Sequence, residues 1–576
     1  MSGLKRAQQG RDVSVVLCGQ AGQGVQTVEF LLTRILKLAG YHVFATKEYM
    51  SRVRGGLNST TIRISSRPVA ALVNRIDILV ALTPGALAHL AERLSDETVV
   101  LAESAVIGDD ANSESSRVLD IPFTQMATDI GNKIYSNIVA VGVLSGLLHI
   151  NPEHVTDYVK RFFAKKSQEI VDHNVQAARA GYEAAGTLDL PDGSAWDLKP
   201  APSVKDDILV DGAEAVGLGA IAGGCDFVSS YPMSPSTGVL TFLAQHGKEQ
   251  GVLVEQAEDE IAAINMVIGA WYAGARALAT TSGGGFALMT EGISLAGMLE
   301  TPVVVHLAQR PGPATGLPTR TEQGDLELAL YAGHGEFPRI ILAPGTLQQA
   351  FTLTQKAFNL ADKYQVPVFV LTDQYFVDSY YNLPAFDVSK TSVEKHVVET
   401  AADYRRYALT KNGLSPRGIP SYGKGLVTAD SDEHDEEGHI TESPDVRVAM
   451  TDKRLAKAAA LKKEIVRPEL VGPKDYRQLV ICWGSTYHVV KEGLAVLGRD
   501  DTAMLHYAQV YPLHPKTAEY INKAEKTVVV ESNATGQFRK LIRLHAGVDV
   551  DEGLVKYDGL SFAVEEIVEG LGQILS

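Results

Sequence analysis

Tyr-Pro-Met-Ser-Pro-Ser-Thr (231–237), Glu-Asp-Glu (258–260), Thr-Ser-Gly-Gly-Gly-Phe (281–286) and Gln-Arg-Pro-Gly-Pro-Ala-Thr-Gly-Leu-Pro-Thr-Arg-Thr-Glu-Gln-Gly-Asp-Leu (309–326) follow one another as polar or glycine-rich segments. Apolar stretches of strand or helix length separate them. Among these are Ile-Ala-Ala-Ile-Asn-Met-Val-Ile-Gly-Ala after Glu260 and the run Val303–Ala308. Buried strands and helices that deliver polar loops at one end are how an open α/β domain presents a ligand site at its strand ends. The stretch predicts an α/β domain over residues 205–385, closing with the strand Val366–Leu371 and Thr-Asp-Gln (372–374).

Upstream, the β-branched and apolar run Val13–Cys18 ends in Gly-Gln-Ala-Gly-Gln-Gly-Val (19–25). An amphipathic helix follows, with Val28, Leu31, Leu32, Ile35 and Leu38 on one face. A strand, a glycine loop and a helix make a βα unit whose backbone N–H groups can cradle phosphate. With strand-like runs at Tyr41–Ala45, Thr60–Ile64, Ile76–Leu82 and Thr98–Leu101, this predicts a first α/β domain over 10–185. Leu188–Pro202 reads as a linker rich in Pro, Gly and Asp. Residues 386–470 read as an irregular connecting segment. Its acidic run 430–439 lacks the spacing of a calcium loop and is expected to be a solvated loop. A third α/β unit is expected over 471–576, with strands at Leu479–Trp483, Ala503–Tyr507 and Thr527–Val530. The fold class is therefore α/β, in three units.

A chain of 576 residues has room for about four domains. Its net charge of −16 argues against nucleic acid as the main partner. The three cysteines, Cys18, Cys225 and Cys482, are scattered, so this chain alone cannot build a four-cysteine iron–sulfur cluster. They fit a reducing, cytoplasmic compartment. The polar start of the chain lacks the apolar core of a signal peptide. The longest apolar run, Ile134–Ile150, is interrupted by Ser136, Asn137, Ser145 and His149 and falls short of the ~20 residues of a span. A buried helix is expected there, with no membrane partner.

Glu260 opens an apolar helix, where the dipole favours a carboxylate. It is either an ordinary first-turn residue or a functional acid, and Glu258 and Asp259 compete with it. Arg310 follows an apolar strand, and its guanidinium suits bidentate binding of a carboxylate. Ser234 offers a hydroxyl in a loop restricted by Tyr-Pro and Ser-Pro. Gly283 and Gly284 let a backbone approach a ligand closely. Gly22, Gln23 and Gly24, with Lys47, Arg52, Arg54 and Asn58, suit phosphates, or form a basic loop on a solvated face.

Loop by loop, these motifs resemble the α subunit of 2-oxoacid:ferredoxin oxidoreductases with a γ domain fused ahead of it. The 2-oxoglutarate subfamily is the nearest. The resemblance implies a γ-type domain on the coenzyme A side (10–185), a thiamine-diphosphate pyrimidine-binding domain (205–385) and a transketolase C-terminal-like domain (471–576). It puts Glu260 at the family's cofactor-activating glutamate, where a partly desolvated carboxylate meets the aminopyrimidine. Tyr231, Pro232, Gly283 and Gly284 fall on the cofactor side, although the family usually shows Gly-Pro-Gly at 283–285. Arg310 matches the substrate-carboxylate arginine. Ser234 stands where threonine is usual, and Arg320 is a candidate for a distal carboxylate. Gly316-Leu-Pro-Thr319 with Gln323 and Asp325 completes the signature. Gly22, Gln23, Gly24, Lys47, Arg54 and Asn58 fall near coenzyme A.

The Gly-Asp-Gly of a thiamine magnesium site occurs nowhere in the chain. That absence points to a partner chain for the diphosphate and Mg2+; the resemblance implies that this partner is a β subunit, which also carries a [4Fe–4S] cluster, in an (αβ)2 heterotetramer that passes electrons to ferredoxin. The expected reaction is oxidative decarboxylation of 2-oxoglutarate to succinyl-CoA, or its reductive, CO2-fixing reverse as in a reductive TCA cycle. Two alternatives stay open: another 2-oxoacid (pyruvate, branched-chain or aromatic), and a non-catalytic scaffold that binds coenzyme A or a nucleotide.

Overall fold

Strand Asp12–Gln20 is buried at every residue but its last. It pairs antiparallel with Leu57–Ser65 and parallel with Ile78–Ala81. A strand enclosed on both faces carries a continuous apolar run instead of an alternation, which is why Val13–Cys18 stands out. In this computed structural model, which describes residues 12–50, 56–108, 117–190, 196 and 198–576, the strand lies within an eight-stranded sheet. The order across that sheet is Arg117–Asp120, Val99–Ala102, Ile78–Ala81, Asp12–Gln20, Leu57–Ser65, His42–Glu48, Tyr380–Leu383 and Ile208–Asp211.

Helix Val25–Leu38 buries Val28, Leu31, Leu32 and Ile35 in the core of this unit. Helix Ser136–Leu147, the centre of the apolar run, is buried from Ile138 to Ser145. It lies so close to helix Gln168–Ala185 that a Cβ on Gly142 would collide with the Ala178 carbonyl oxygen. No helix among the described residues is long and apolar enough to cross a membrane.

The chain divides into two compact units. The first takes residues 1–210 together with 379–385 and 563–565. The second holds the remainder and contains two sheets. Its seven-stranded sheet runs Gln509–Tyr511, Ile340–Leu342, Pro367–Asp373, Val303–Gln309, Ala277–Thr281, Phe227–Ser230 and Leu253–Gln256. Every pairing is parallel except at the Gln509–Tyr511 edge. The five-stranded sheet is ordered Glu469–Val471, Thr502–Tyr507, Gln478–Trp483, Lys526–Glu531 and Glu552–Val555.

In a parallel sheet the returning helices end where the next strands begin, and their last carbonyls carry partial negative charge. Residues from 386–470 meet these ends. Arg417 donates to the Trp271 carbonyl at 3.2 Å, and Arg406 to that of Glu300 at 2.8 Å. Lys457 donates to the Gln365 carbonyl at 3.1 Å. Asp362 accepts from both Arg276 (3.0 Å) and Arg417 (2.5 Å), and Glu300 pairs with Lys457 (2.5 Å) and Lys453. The acidic run departs from a purely solvated loop. Glu433 is held by Arg454 and Arg447 at 2.8 and 2.6 Å, and His434 is buried against the Tyr407 ring. Pairing with helix Pro444–Leu461 is what draws these residues in.

Candidate active site

The polar loops of the second unit sit at the carboxyl ends of its parallel strands, opposite the ends capped by Arg406, Arg417 and Lys457. After strand Leu253–Gln256 the chain turns into helix Glu260–Tyr272. Three carboxylates stand at that turn and the structure separates them. Glu258 is exposed. Asp259 is the helix cap and accepts the Ala262 N–H at 2.7 Å. Glu260 is only 2% exposed, and its Oε1 is buried without a hydrogen-bond partner. Burial pushes its carboxyl above the usual range; Asp259 adds to the push, while its own backbone N–H and Arg310 oppose it.

Facing Glu260 is the turn after strand Ala277–Thr281. A Cβ on Gly285 would strike Glu260 Oε1 and Thr281 Oγ1, so only glycine lets the carboxyl stand there. Gly284 is exposed, and Ser282 keeps a buried Oγ without a partner. Beside Gly283 lies the carboxyl of Asp325, whose two oxygens are each 2.5 Å from where a Cβ would be built. Asp325 Oδ2 is also buried and unpartnered. Burial, with Glu322 adding, pushes this carboxyl up to about 7 against the pull of Arg310.

Arg310 follows strand Val303–Gln309, and its Nη1 donates to the Ser234 carbonyl at 2.7 Å. Burial lowers its pKa, and Asp325 and then Glu260 pull it back. Both carboxyls therefore share the field of one guanidinium. Ser234 and Tyr231 are exposed and Pro232 is partly buried.

The signature loop is fastened from below. Gln309 accepts the Asp325 N–H at 2.9 Å and donates to the Thr372 carbonyl at 3.0 Å. Gln323 donates to the Trp483 carbonyl (2.9 Å), accepts from Ser532 N–H (2.9 Å), and receives Asn533 on its own carbonyl (3.2 Å). Asp373 accepts from Thr321 and Ser485, and burial pushes it up to about 6. Arg320 follows the bend where its N–H meets the Leu317 carbonyl, and its stem lies beside Gly559. Asp325 was visible in the sequence only as a member of the signature. Its unpartnered oxygen depends on a glycine more than forty residues earlier, at 283.

In the first unit, Gly22, Gln23 and Gly24 form the turn between strand Asp12–Gln20 and helix Val25–Leu38. Gly22 (φ 91°) has open space where a Cβ would point, and Gly24 (φ 79°) caps the helix without a side-chain bond. Gln23 Oε1 is used inside the turn, accepting the Gln20 N–H at 2.7 Å. Lys47 pairs with Glu29 at 3.3 Å, and Tyr380 donates to the same carboxylate at 2.6 Å. Asn58 accepts the Met50 N–H at 3.1 Å. Arg52 and Arg54 lie outside the described residues. No cluster of three metal-ligating side chains occurs among the described residues.

Residues 218–453 match the family model described as "Pyruvate flavodoxin/ferredoxin oxidoreductase, thiamine diP-bdg", and residues 14–184 that described as "Pyruvate ferredoxin/flavodoxin oxidoreductase". The 2-oxoacid:ferredoxin oxidoreductase subunit alpha of a Sulfolobus species is 31% identical over 98% of this chain and 97% of its own. The 2-oxoglutarate oxidoreductase subunit KorA of Mycobacterium tuberculosis is 29% identical, covering 96% of this chain and 90% of its own. The structure of the 2-oxoglutarate:ferredoxin oxidoreductase of Magnetococcus marinus, with 2-oxoglutarate, coenzyme A and succinyl-CoA bound, superposes with a TM-score of 0.92. It shares 30% identity over 98% of this chain and 100% of that one.

Proposed function

This chain belongs to the α subunits of the 2-oxoacid:ferredoxin oxidoreductases, and on that premise we propose that its substrate is 2-oxoglutarate, cleaved and oxidised to succinyl-CoA in a complex with a β subunit. The observation that carries the reading is the buried, unpartnered Glu260 Oε1 beside Gly285, within the field of Arg310. An acyl-transferring oxidoreductase needs such an acid. A scaffold gives no reason for a carboxyl oxygen left buried without a partner beside a turn that only glycine permits.

These residues fit the aminopyrimidine of thiamine diphosphate: a carboxyl whose raised pKa lets it hold a proton and whose Oε1 is free for a donor or acceptor, beside a glycine turn with no side chains in the way. When bound, thiamine diphosphate supplies the electron sink for cleavage next to a keto group. Glu260 holds and releases a proton at Oε1. Gly283 and Gly284 permit close approach, and Tyr231 and Pro232 flank the cofactor side. Arg310 meets the carboxylate next to the keto group, and its bond to the Ser234 carbonyl fixes its direction. The Ser234 hydroxyl is the nearby donor. Arg320 meets the distal carboxylate that distinguishes 2-oxoglutarate from pyruvate. The names of the Mycobacterium and Magnetococcus relatives favour that substrate.

Coenzyme A approaches the first unit at Gly22–Gly24 with Arg54 and Asn58. Lys47 takes part only by leaving Glu29. The functional domains are 10–185, 205–385, the connecting segment 386–470, and 471–576. The β subunit supplies Mg2+ and the [4Fe–4S] cluster, which passes electrons to ferredoxin, in a cytoplasmic (αβ)2 assembly. Its need is argued from the missing Gly-Asp-Gly and from helix Glu260–Tyr272. That helix is apolar on all sides yet exposes Ile261, Met266 and Tyr272, as a helix awaiting a partner does.

The test is co-expression with a β-type chain, followed by ferredoxin reduction assayed over a panel of 2-oxoacids with coenzyme A. The expected result is turnover only in the complex and preference for 2-oxoglutarate. Preference for pyruvate overturns the substrate. A complex that binds coenzyme A and turns over none of the panel supports the scaffold instead.

A further inference from the structure

The five-stranded sheet has a place where a ligand would bind, and the chain itself fills it. Strand Gln478–Trp483 leads through helix Tyr487–Leu497 to Thr502–Tyr507 on one side of it. Lys526–Glu531 pairs on its other side and leads through helix Gln537–Ala546 away to Glu552–Val555. The strand order therefore reverses between Gln478–Trp483 and Lys526–Glu531, and the crevice outside their carboxyl ends is where an open α/β sheet takes a ligand. Gln323, 1% exposed, bridges these two strand ends. Its Nε2 donates to the Trp483 carbonyl (2.9 Å), and its Oε1 accepts the Ser532 N–H (2.9 Å) just past the other strand. Its own N–H donates to the Ser532 carbonyl (2.6 Å), and its carbonyl accepts from Asn533 Nδ2 (3.2 Å). Gly484 has φ 56°, and a Cβ there would stand 3.0 Å from Gln323 Nε2. On either side, the Thr321 N–H meets the Gly559 carbonyl (3.0 Å) and the Gly324 carbonyl accepts from Gln537 Nε2 (2.8 Å). Residues 321–324 are thus held as a bound peptide would be, through main chain and one inserted side chain.

We propose that Gln323 is a positioning residue for the 2-oxoacid: by seating residues 321–324 in the strand-reversal crevice it sets the place of Arg310, and the five-stranded sheet serves the reaction as the receptor of the substrate loop. This rests on the assignment of Arg310 as the substrate-carboxylate residue. The connection runs through printed contacts of one side chain, Gln309. Its Oε1 accepts the N–H of Asp325, the residue after Gly324, and its Nε2 donates to the Thr372 carbonyl. Asp373, next to Thr372, accepts from Ser485, the residue after Gly484. The five-stranded sheet therefore grips both anchor points of Gln309 by direct hydrogen bonds. Arg310 is the next residue, with its Nη1 on the Ser234 carbonyl. A guanidinium that meets a carboxylate on two parallel bonds tolerates little displacement, and a shift of about 1 Å introduced far from the chemistry can cost ~10²-fold. The side-chain type follows as well. An amide carries a donor and an acceptor side by side and so bridges a carbonyl and an N–H. Glutamate would set an oxygen against the Trp483 carbonyl, and methionine, of similar length, would leave both strand ends unmet.

The measurement is calorimetric titration of 2-oxoglutarate, and separately of pyruvate, into the αβ complex loaded with oxythiamine diphosphate, which lacks the amino group needed for turnover. Thiamine diphosphate content and the exchange rate of the thiazolium C2 proton are read on the same variants, since they report on Glu260 and not on Arg310. Gln323→Met and Gln323→Glu should raise Kd by about 10- to 100-fold for both substrates, because the shared carboxylate is what meets Arg310, and leave exchange and cofactor content within about twofold of wild type. If neither variant assembles, Gln537→Met decides: it releases the Gly324 carbonyl and should raise Kd by a smaller factor with the same unchanged exchange. A wild-type Kd overturns the proposal. So does a fall of exchange and cofactor content in step with binding, which is what general loosening of the site would give. Adding Gln323→Met to Arg310→Met should lower kcat/KM no further than Arg310→Met alone, as for two residues acting through one contact; losses that multiply overturn it. Wild-type affinity in Arg310→Met removes the assignment of Arg310 and this proposal with it. Lost affinity in Arg310→Met beside wild-type affinity in Gln323→Met removes the positioning role alone.

Discussion

At the amino ends of the parallel strands in the second unit, Asp362 is shared by Arg276 and Arg417, and Glu300 by Lys453 and Lys457. At the carboxyl ends, Glu260, Ser282 and Asp325 each keep a buried oxygen with no hydrogen-bond partner. Both ends bury charge-bearing groups, but only one neutralises them from within the chain. At the paired end Glu300, despite burial, is pulled down to about 2 by Lys457, Lys453 and Arg406. The open end pushes carboxyls up, Asp325 to about 7. Ion pairs gather at the amino ends, where Arg276 Nε and Arg417 Nε are nevertheless left without a hydrogen-bond partner, whereas the unmet groups at the carboxyl ends are oxygens that no cation of the chain pairs.

The contrast breaks most sharply at Glu260. Glu260→Gln in the assembled complex should lower turnover by ~10²–10⁴-fold, the usual worth of acid–base assistance, with bound thiamine diphosphate retained. Steady-state rates and cofactor content check this, and near-wild-type turnover would put the acid elsewhere. At the other end the loss should be of stability. Asp362→Asn leaves two buried guanidinium groups short of a counter-charge and should cost ~3–5 kcal/mol, read from the urea midpoint, while the folded complex turns over normally. A neutral effect on unfolding would mean that the arginines find other partners.

Arg320→Met tests whether the open end holds a second cation for substrate. It should reduce kcat/KM for 2-oxoglutarate by the equivalent of ~2–5 kcal/mol and leave that for pyruvate nearly untouched. Equal losses would assign Arg320 to the loop's structure. The smallest effect is a pH signature. Asp325 has a folded pKa near 7, raised from 3.8. Its contribution to stability is full below 3.8 and is lost as pH rises through 7. Glu300 behaves in reverse, its contribution being present above 4.5 and lost as pH falls toward 2. Asp325→Asn should therefore gain thermal stability over wild type at pH 8, by roughly 2–4 °C, and show little gain at pH 4. A gain equal at both values would break the link to titration.

The central strands were legible because burial on both faces leaves unbroken apolar runs, as in Val13–Cys18 and Val303–Ala308. The loops were legible because glycine, proline and charge interrupt those runs. Which of Glu258, Asp259 and Glu260 is buried was not legible, since one residue of register decides it and only the cap at Asp259 fixes the register. The meaning of 386–470 was hidden for a different reason. Arg417 finds Asp362 across 55 residues and Lys453 finds Glu300 across 153, and no local pattern encodes such a pairing. The pairing of Lys47 with Glu29 was hidden in the same way, because Glu29 sits on the preceding helix.

Strand Tyr380–Leu383 has a consequence for anyone who dissects this chain. It pairs with His42–Glu48 and belongs to the first unit although it is encoded far downstream. A fragment ending at residue 190 would lack both it and Ile208–Asp211. His42–Glu48 would then be a bare edge, with unpaired amides ready to recruit another copy. Asn382, which accepts the Val43 N–H at 2.7 Å, would be gone as well. Such a truncation should yield inclusion bodies or oligomers, and supplying residues 379–385 as a peptide in trans should rescue solubility.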